Sequence, residues 1–293
     1  MRLPLVSTLR EKAGESLLRR VAGPTAHQKR ARIHGTPGPR WFAPDRPVRT
    51  VHADASMYIG GLAALLLQSL HPVAMAAVWA HSGFRGDPWG RLQRTSTFLA
   101  ETTFATASDA ERAVERVRGV HARVTGTSAA GVRYRASDPA LLAWVHIAET
   151  YCFLEAHRRY GRIPLTAEQQ DGYVEDMASV ARRLGVVDPP MTVAALAASL
   201  GARRGELAPT EESAATVRYL LAAPPLPRPA RIPYALLAAA AVDLLPPWAQ
   251  ECLDLPGRTR LLLRVARPGG SAVTSAIRWV TPRPPSRPDE VAR

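Results

Sequence analysis

The stretch LLAWVHIAETYCFLEA at residues 141–156 constrains the fold more than any other part of the chain. Asp138 and Pro139 ahead of it supply an N-cap and a first helical residue whose φ is already set, and Gly161 marks a stop after Tyr160. The helix so defined is apolar nearly all round, and such a helix has to be covered on every side. It predicts a central helix with a shell of others around it. The 293 residues suffice for a full core of that kind.

Start and stop signals elsewhere supply the shell. Ser108 with Glu111 reads as a capping box opening a helix that Gly126 ends. Thr166 with Gln169 opens another, closed by Gly185, and further helices are expected at 192–200, 210–222 and 232–244, with the Ala-rich run 235–242 packing closely on its neighbours. Strand signals are nearly absent and no internal repeat is visible. The expectation is an all-α chain, a single multi-helix domain around a buried pocket. Residues 1–50, basic and rich in proline, read as a loosely packed N-terminal arm with a short amphipathic helix on Leu9, Leu17, Leu18 and Val21. Residues 251–293 read as a C-terminal extension, and 279–293, rich in proline, as a disordered end.

A net charge of +13 raises the question of nucleic acid or an anionic membrane. The charge is uneven: residues 1–49 carry an excess of +8, 50–202 none, and 203–293 +5. Lys12 and Lys29 are the chain's two lysines, and no zinc-finger spacing, RNP-type aromatic motif or KH-type loop accompanies the arginines, so no nucleic-acid partner is expected. The basic arm suits peripheral contact with anionic lipid. Residues 58–80 are apolar and long enough for a bilayer, yet Gln68, Ser69, His71 and Pro72 interrupt them, which favours a core helix broken before Pro72. Cys152 and Cys252 form no CxxC or metal spacing, and no apolar run follows Arg19-Arg20; a cytoplasmic placement, peripheral to the membrane at most, is expected.

Within this apolar frame a few polar residues sit where apolar ones belong. Val114, Val117, His121 and Val124 recur at the spacing of one buried helix face, so His121 is expected to point inward. There a neutral imidazole needs a partner for each nitrogen: a carbonyl, a carboxylate, a water or a metal. His146 and Glu149 share a face of the central helix one turn apart, close enough for an Nδ1–H to carboxylate hydrogen bond. Arg91, Arg94, Thr95, Phe98 and Thr102 fall on one stripe of a helix beginning after Asp87-Pro88, suited to an anionic group such as a carboxylate or propionate. His71 and His81 lie in apolar surroundings where either can cap a helix end. A di-iron carboxylate bundle needs Glu-x-x-His on two helices, and the chain offers the reversed order, His146 to Glu149. HExxH, P-loop, GxSxG and strand-preceded GxGxxG motifs are absent, which removes the commonest hydrolase and nucleotide-binding classes.

The order of the motifs says more than any one of them. His71-Pro72, Arg91-Leu-x-Arg94-Thr95, His121-x-x-Val124-x-Gly126, Tyr134-x-Ala136-x-Asp138-Pro139-x-Leu-Leu-x-Trp144-Val-His146, Tyr173 and Leu244-Leu-Pro246-Pro247-Trp248 follow one another along the chain. In this order they resemble the oxygenase family of the MpaB enzymes and rubber oxygenase (latex clearing protein). The resemblance covers roughly residues 50–250, so that 51–250 becomes the expected helical catalytic domain. It implies an all-α fold holding a b-type haem on one histidine, and oxidation of a lipophilic, alkene-containing, isoprenoid or polyketide-like substrate by dioxygen. His121 then corresponds to the iron ligand through Nε2, its other nitrogen donating to an acceptor that fixes the tautomer. Arg91 and Thr95 match family residues near the haem, Arg94 or Thr95 would donate a hydrogen bond toward dioxygen, and His146 would be a pocket residue oriented by Glu149. The chain departs from rubber oxygenase at two places. Arg94 replaces a lysine, and a guanidinium has no lone pair for iron, so the sixth position is expected to be open or to hold water. Between Asp54 and Asp87 there is no acidic residue to match the glutamate that rubber oxygenase places upstream as a base. The contrasting expectation is a non-catalytic lipid-binding or membrane-surface helical protein, which would bind no haem.

Overall fold

The computed structural model describes residues 4–83, 86–222 and 226–281. In chain order its helices are α1 (Pro4–Ala22), α2 (Ala26–Gly35), α3 (Pro47–His52), α4 (Ser56–Gln68), α5 (Pro72–His81), α6 (Pro88–Phe104) and α7 (Ala107–Arg123). A short antiparallel pair, β1 (Thr125–Thr127) and β2 (Arg133–Arg135), precedes α8 (Pro139–Tyr160), α9 (Ala167–Leu184) and α10 (Val193–Ala202). The chain continues through α11 (Glu211–Ala222), α12 (Arg231–Leu244), α13 (Pro247–Cys252) and α14 (Pro256–Val280). The fold is all-helical and single-domain, with α8 at its centre and α4, α9, α10 and α12 packed against it.

The α8 signals act as the sequence predicts. The Asp138 carboxylate accepts from the Ala140 amide at 2.8 Å, and Pro139 opens the helix. Gly161 ends it with an ordinary negative φ of −62°. What requires glycine there is space, because a Cβ would lie 2.7 Å from the His157 ring, folded back over the chain. The Thr166–Gln169 capping box of α9 forms in both directions, and Gly185 closes that helix in the left-handed region at φ 110°.

Close approach holds α4 against α8. A Cβ on Gly60 would sit 2.8 Å from Phe153 Cδ1 and 3.0 Å from the Cys152 carbonyl oxygen, so a bare backbone is needed at the crossing. The Trp144 indole donates to the Gln68 carbonyl at 3.2 Å, and the Gln68 side chain donates to the Val145 carbonyl at 3.3 Å, so the polar interruption in the apolar run is spent on this contact. Helices α4 and α5 meet at 110°, with Pro72 first in α5 and His71 Nδ1 accepting from the Ala74 amide at 3.4 Å. Among the described residues no single helix is long and apolar enough to cross a membrane, though the bent α4–α5 pair has the length and composition. Ala238–Ala241 are buried where α12 packs on α14.

Four features differ from the sequence expectation. The α7 N-cap is Thr106, whose hydroxyl accepts from the Asp109 amide at 3.2 Å, and Glu111 is exposed; Thr106 and Ser108 are both acceptable caps, and the backbone turns at the first. Helix α7 ends at Arg123, three residues before Gly126, which lies in β1 opposite Tyr134. The arm is not loosely packed. Helices α1 and α2 lie on α6, and Ala26, Ile33, Phe42 and Val48 are buried. The Arg46 guanidinium donates to Asp176 on α9 at 2.7 Å, fixing the entry to α3. In the C-terminal part, α14 continues through Pro268 because Gly269 and Gly270 let it approach Leu236 and Tyr160, contacts a Cβ would obstruct at 2.8 and 2.6 Å. Residues 282–293, most of the segment expected to be disordered, lie outside the described residues.

Candidate functional site

Helices α3–α9 surround a cavity of about 920 Å³, within the ~300–1,000 Å³ typical of small-molecule and cofactor sites. Arg91, Arg94, Thr95, His121 and His146 all line it, so the structure brings together on three helices the five residues read from the sequence as catalytic or cofactor-binding. Between them the walls are mainly apolar, with Phe98, Val117, Leu142, Val145, Met177 and Val180 among the lining side chains.

The Asp87 carboxylate caps α6 by accepting from the Gly90 amide at 2.8 Å, and this starts the stripe in the right rotation. Arg91 Nη1 donates to the Ser82 hydroxyl at 2.9 Å, and Arg94 Nη2 donates to the Ser82 carbonyl at 3.3 Å, so both guanidinium groups converge on the turn after α5. Burial, assisted by repulsion from Arg94, lowers the Arg91 pKa to about 10, which leaves it cationic at neutral pH. Arg94 and Thr95 are exposed and line the open side of the cavity. Thr102 spends its hydroxyl on the Phe98 carbonyl of its own helix at 3.0 Å and offers no donor to a ligand.

The two histidines approach the cavity from α7 and α8. His121 stands in the last turn of α7, half-buried, because the face it shares with Val117 opens onto the cavity. Its Nδ1 is buried with no hydrogen-bond partner, so the acceptor expected to fix its tautomer is absent among the described residues. Burial lowers its pKa below the ordinary histidine value. His146 is buried on α8, and burial with repulsion from Arg182 lowers its pKa to about 4. Its Nδ1 lies 3.3 Å from the Thr150 hydroxyl, and its Nε2 is buried and unpartnered. Thr150, one turn on, therefore takes the place expected for Glu149. The Glu149 side chain also lines the cavity, where burial alone raises its pKa to about 7. Both imidazoles are neutral at pH 7, the protonation state in which a ring nitrogen can ligate a metal.

His71 and His81 do not line the cavity, and His71 is committed to capping α5. His52, which periodicity gave no reason to single out, does line it: its Nδ1 is 2.8 Å from the Thr103 hydroxyl and its Nε2 3.4 Å from the Tyr173 hydroxyl. Burial holds His52 neutral, with a pKa of about 3. Lys29 and Glu101 also reach the wall, and so does Arg116. Lys29 Nζ donates to the Ala22 carbonyl at 2.9 Å and the Thr97 hydroxyl at 3.3 Å, while buried Glu101 accepts from Arg32 of α2 and, at 2.5 Å, from Arg116 of α7. The arm thus completes one side of the cavity. Lys29's rarity of type was the sequence signal available for it; Glu101 carried none, since both of its partners are distant in the chain.

Among the described residues no group of three or more His, Cys, Asp or Glu is placed to hold a metal ion by itself. Single histidines on an apolar cavity instead suit a cofactor that brings its own metal ligands. Searches of curated proteins and of solved structures found no match. The family described as ER-bound oxygenase mpaB/B'/Rubber oxygenase, catalytic domain, matches residues 49–279, which covers α4–α13, both strands, most of α3 and nearly all of α14. With most of its length matched, the chain belongs to this family of oxygenase catalytic domains.

Proposed function

We propose that this protein is a haem b-dependent oxygenase that uses dioxygen to oxidise a lipophilic, alkene-containing substrate, isoprenoid or polyketide-like in character. The observation that carries this is the cavity itself: neutral His121 and His146, the second with an unpartnered Nε2, and two converging arginines on mainly apolar walls. These residues fit a haem. His121, as a neutral imidazole, can offer a lone pair to the iron, and Arg91 can pair with an anionic carboxylate of the group. His146 is a second imidazole lining the same cavity. When bound, haem supplies the dioxygen chemistry, which no protein side chain provides.

The chain's own residues do the rest. The apolar side chains of α5, α6, α8 and α9 exclude water and hold a lipophilic substrate by burial. Arg94 and Thr95, exposed on the open side, carry donors that can point toward an oxygen atom developing negative charge. The Ser82 hydroxyl and carbonyl hold the two guanidinium groups so that they need not reorganise when charge appears.

The activity is tested by dioxygen uptake with the haem-reconstituted protein. Uptake that requires an isoprenoid alkene and does not occur with its saturated analogue is expected. Thr95→Val is expected to lower the turnover about tenfold, the worth of one hydrogen bond of about 1.4 kcal/mol. Equal uptake with the alkane, or none above a haem control, would defeat the proposal.

A further inference from the structure

Among the described residues Glu149 is a carboxyl group without a protein partner. It lines the cavity, half-buried and reachable from it, and it makes no hydrogen bond or ion pair with a described residue; burial raises its pKa. A carboxyl without a protein partner takes its hydrogen bonds from whatever fills the cavity. The polar groups around it are already used. On its own helix, His146 Nδ1 is engaged by Thr150, and Cys152, one turn on, is a buried thiol and a weak donor at best. From α3, both nitrogens of His52 are taken, by Thr103 and Tyr173. From α9, the Tyr173 hydroxyl is committed to His52, and Asp176 is bound by Arg46 and the Val48 amide. Helices α4 and α10 bring no Asp, Glu, Lys, Arg or His against α8.

We infer that Glu149 selects a ligand bearing a hydroxyl group, so that the cavity takes an amphiphilic lipid alcohol in preference to a pure hydrocarbon. This rests on the reading of the cavity as a lipophilic substrate site and narrows the substrate class. A hydrocarbon would fill the apolar walls and leave the carboxyl bare. A hydroxyl donates to a carboxylate and accepts from a carboxylic acid, so it satisfies Glu149 in either protonation state. An ammonium group satisfies the ionised form alone.

The test compares dec-9-en-1-ol with 1-decene, which share a chain, by equilibrium dialysis of the full-length protein at pH 8.5 with gas-chromatographic quantification. The ratio of their dissociation constants is measured in the wild type, Glu149→Leu and Glu149→Gln; comparing ratios cancels the difference in water solubility. The alcohol's advantage is expected to fall at least tenfold in Glu149→Leu and to be largely kept in Glu149→Gln, whose amide oxygen still accepts. A wild-type measurement with the methyl ether of decenol, which cannot donate, removes any dependence on a variant that folds badly; the ether is expected to lose the same advantage. An unchanged ratio in Glu149→Leu, or an ether that binds as well as the alcohol, overturns the inference and leaves the carboxyl to water. Haem absorbance on the same samples separates the failures. A Soret band without alcohol preference overturns only the Glu149 inference, whereas no binding of either ligand and no Soret band overturns the cavity reading as well.

Discussion

Replacing both Arg32 and Arg116 by alanine is expected to destabilise the protein by about 3–5 kcal/mol, the cost of stranding a buried charge. Glu101 is 3% exposed at its side chain and accepts from both guanidinium groups, which are themselves 50% and 59% exposed. The asymmetry decides the magnitudes. Each arginine alone can return to water and leave the other in place, so a single replacement should cost only about 1–2 kcal/mol, near the value of one charge-assisted hydrogen bond. Removing both leaves the carboxylate in the cavity wall with no cation. The double variant should therefore lose more than the two single variants together, and Glu101→Gln, which removes the charge as well as the pairs, should lose less than the double variant. Urea unfolding of the wild type and the four variants measures this. Because Arg32 lies on α2, the double variant should also release the arm, and limited proteolysis should cut within residues 1–49 before the body is touched. Additive single-variant costs would mean that Glu101 does not depend on its pair of cations.

Acidification from pH 7 to pH 5 should lower the stability of Glu149→Gln by about 2 kcal/mol more than that of the wild type, the difference coming from a titration worth about 1.4 kcal/mol per pH unit that opposes those of the histidines. His52 and His146 have folded pKa values of about 3 and about 4 against 6.5 unfolded. The unfolded chain binds protons that the folded one refuses. The stability they contribute is present above pH 6.5 and is lost as the pH falls toward their folded values, at about 2 kcal/mol each by pH 5. Glu149 runs the other way. Its folded pKa of about 7 lies above the unfolded 4.5, so the folded protein binds the extra proton, and acidification over the same interval returns about 2 kcal/mol. Glutamine deletes that return and leaves the histidine loss uncompensated. Denaturant midpoints at pH 7, 6 and 5 measure both slopes, and parallel curves for the two proteins would mean that Glu149 is hydrated in the folded state.

Much of the fold was legible because its signals are local. Asp138-Pro139, the Thr166–Gln169 box and Gly185 each act within one turn of themselves, and each does in the structure what its residue type dictates. The α7 cap misled because Thr106 and Ser108 offer equivalent hydroxyls two residues apart, and tertiary packing chooses between them. Helix α14 was hidden by Pro268, Gly269 and Gly270, which lower helix propensity; the same glycines admit Leu236 and Tyr160, and that packing outweighs the propensity. For the site, the α6 stripe and the two histidines follow from helical periodicity, and all reach the cavity. The pairing of His146 with Glu149 did not follow, because one turn of separation permits a contact without requiring it, and Thr150 on the next position is nearer the ring. His52 and the Arg32–Glu101–Arg116 cluster were beyond reach for another reason. They are brought to the wall by contacts between distant segments, and no local pattern encodes those.

The central claim is that the cavity holds haem on His121, and the visible absorption spectrum of the full-length protein tests it most directly. Haem is titrated into the wild type, His121→Ala and His146→Ala, each spectrum being recorded before and after dithionite and carbon monoxide. The account predicts a stoichiometric Soret band in the wild type that shifts with carbon monoxide, its loss in His121→Ala with recovery on adding free imidazole, and its retention in His146→Ala. A band that survives in His121→Ala and disappears in His146→Ala would move the ligand to α8, and a wild type that takes up no haem would contradict the account.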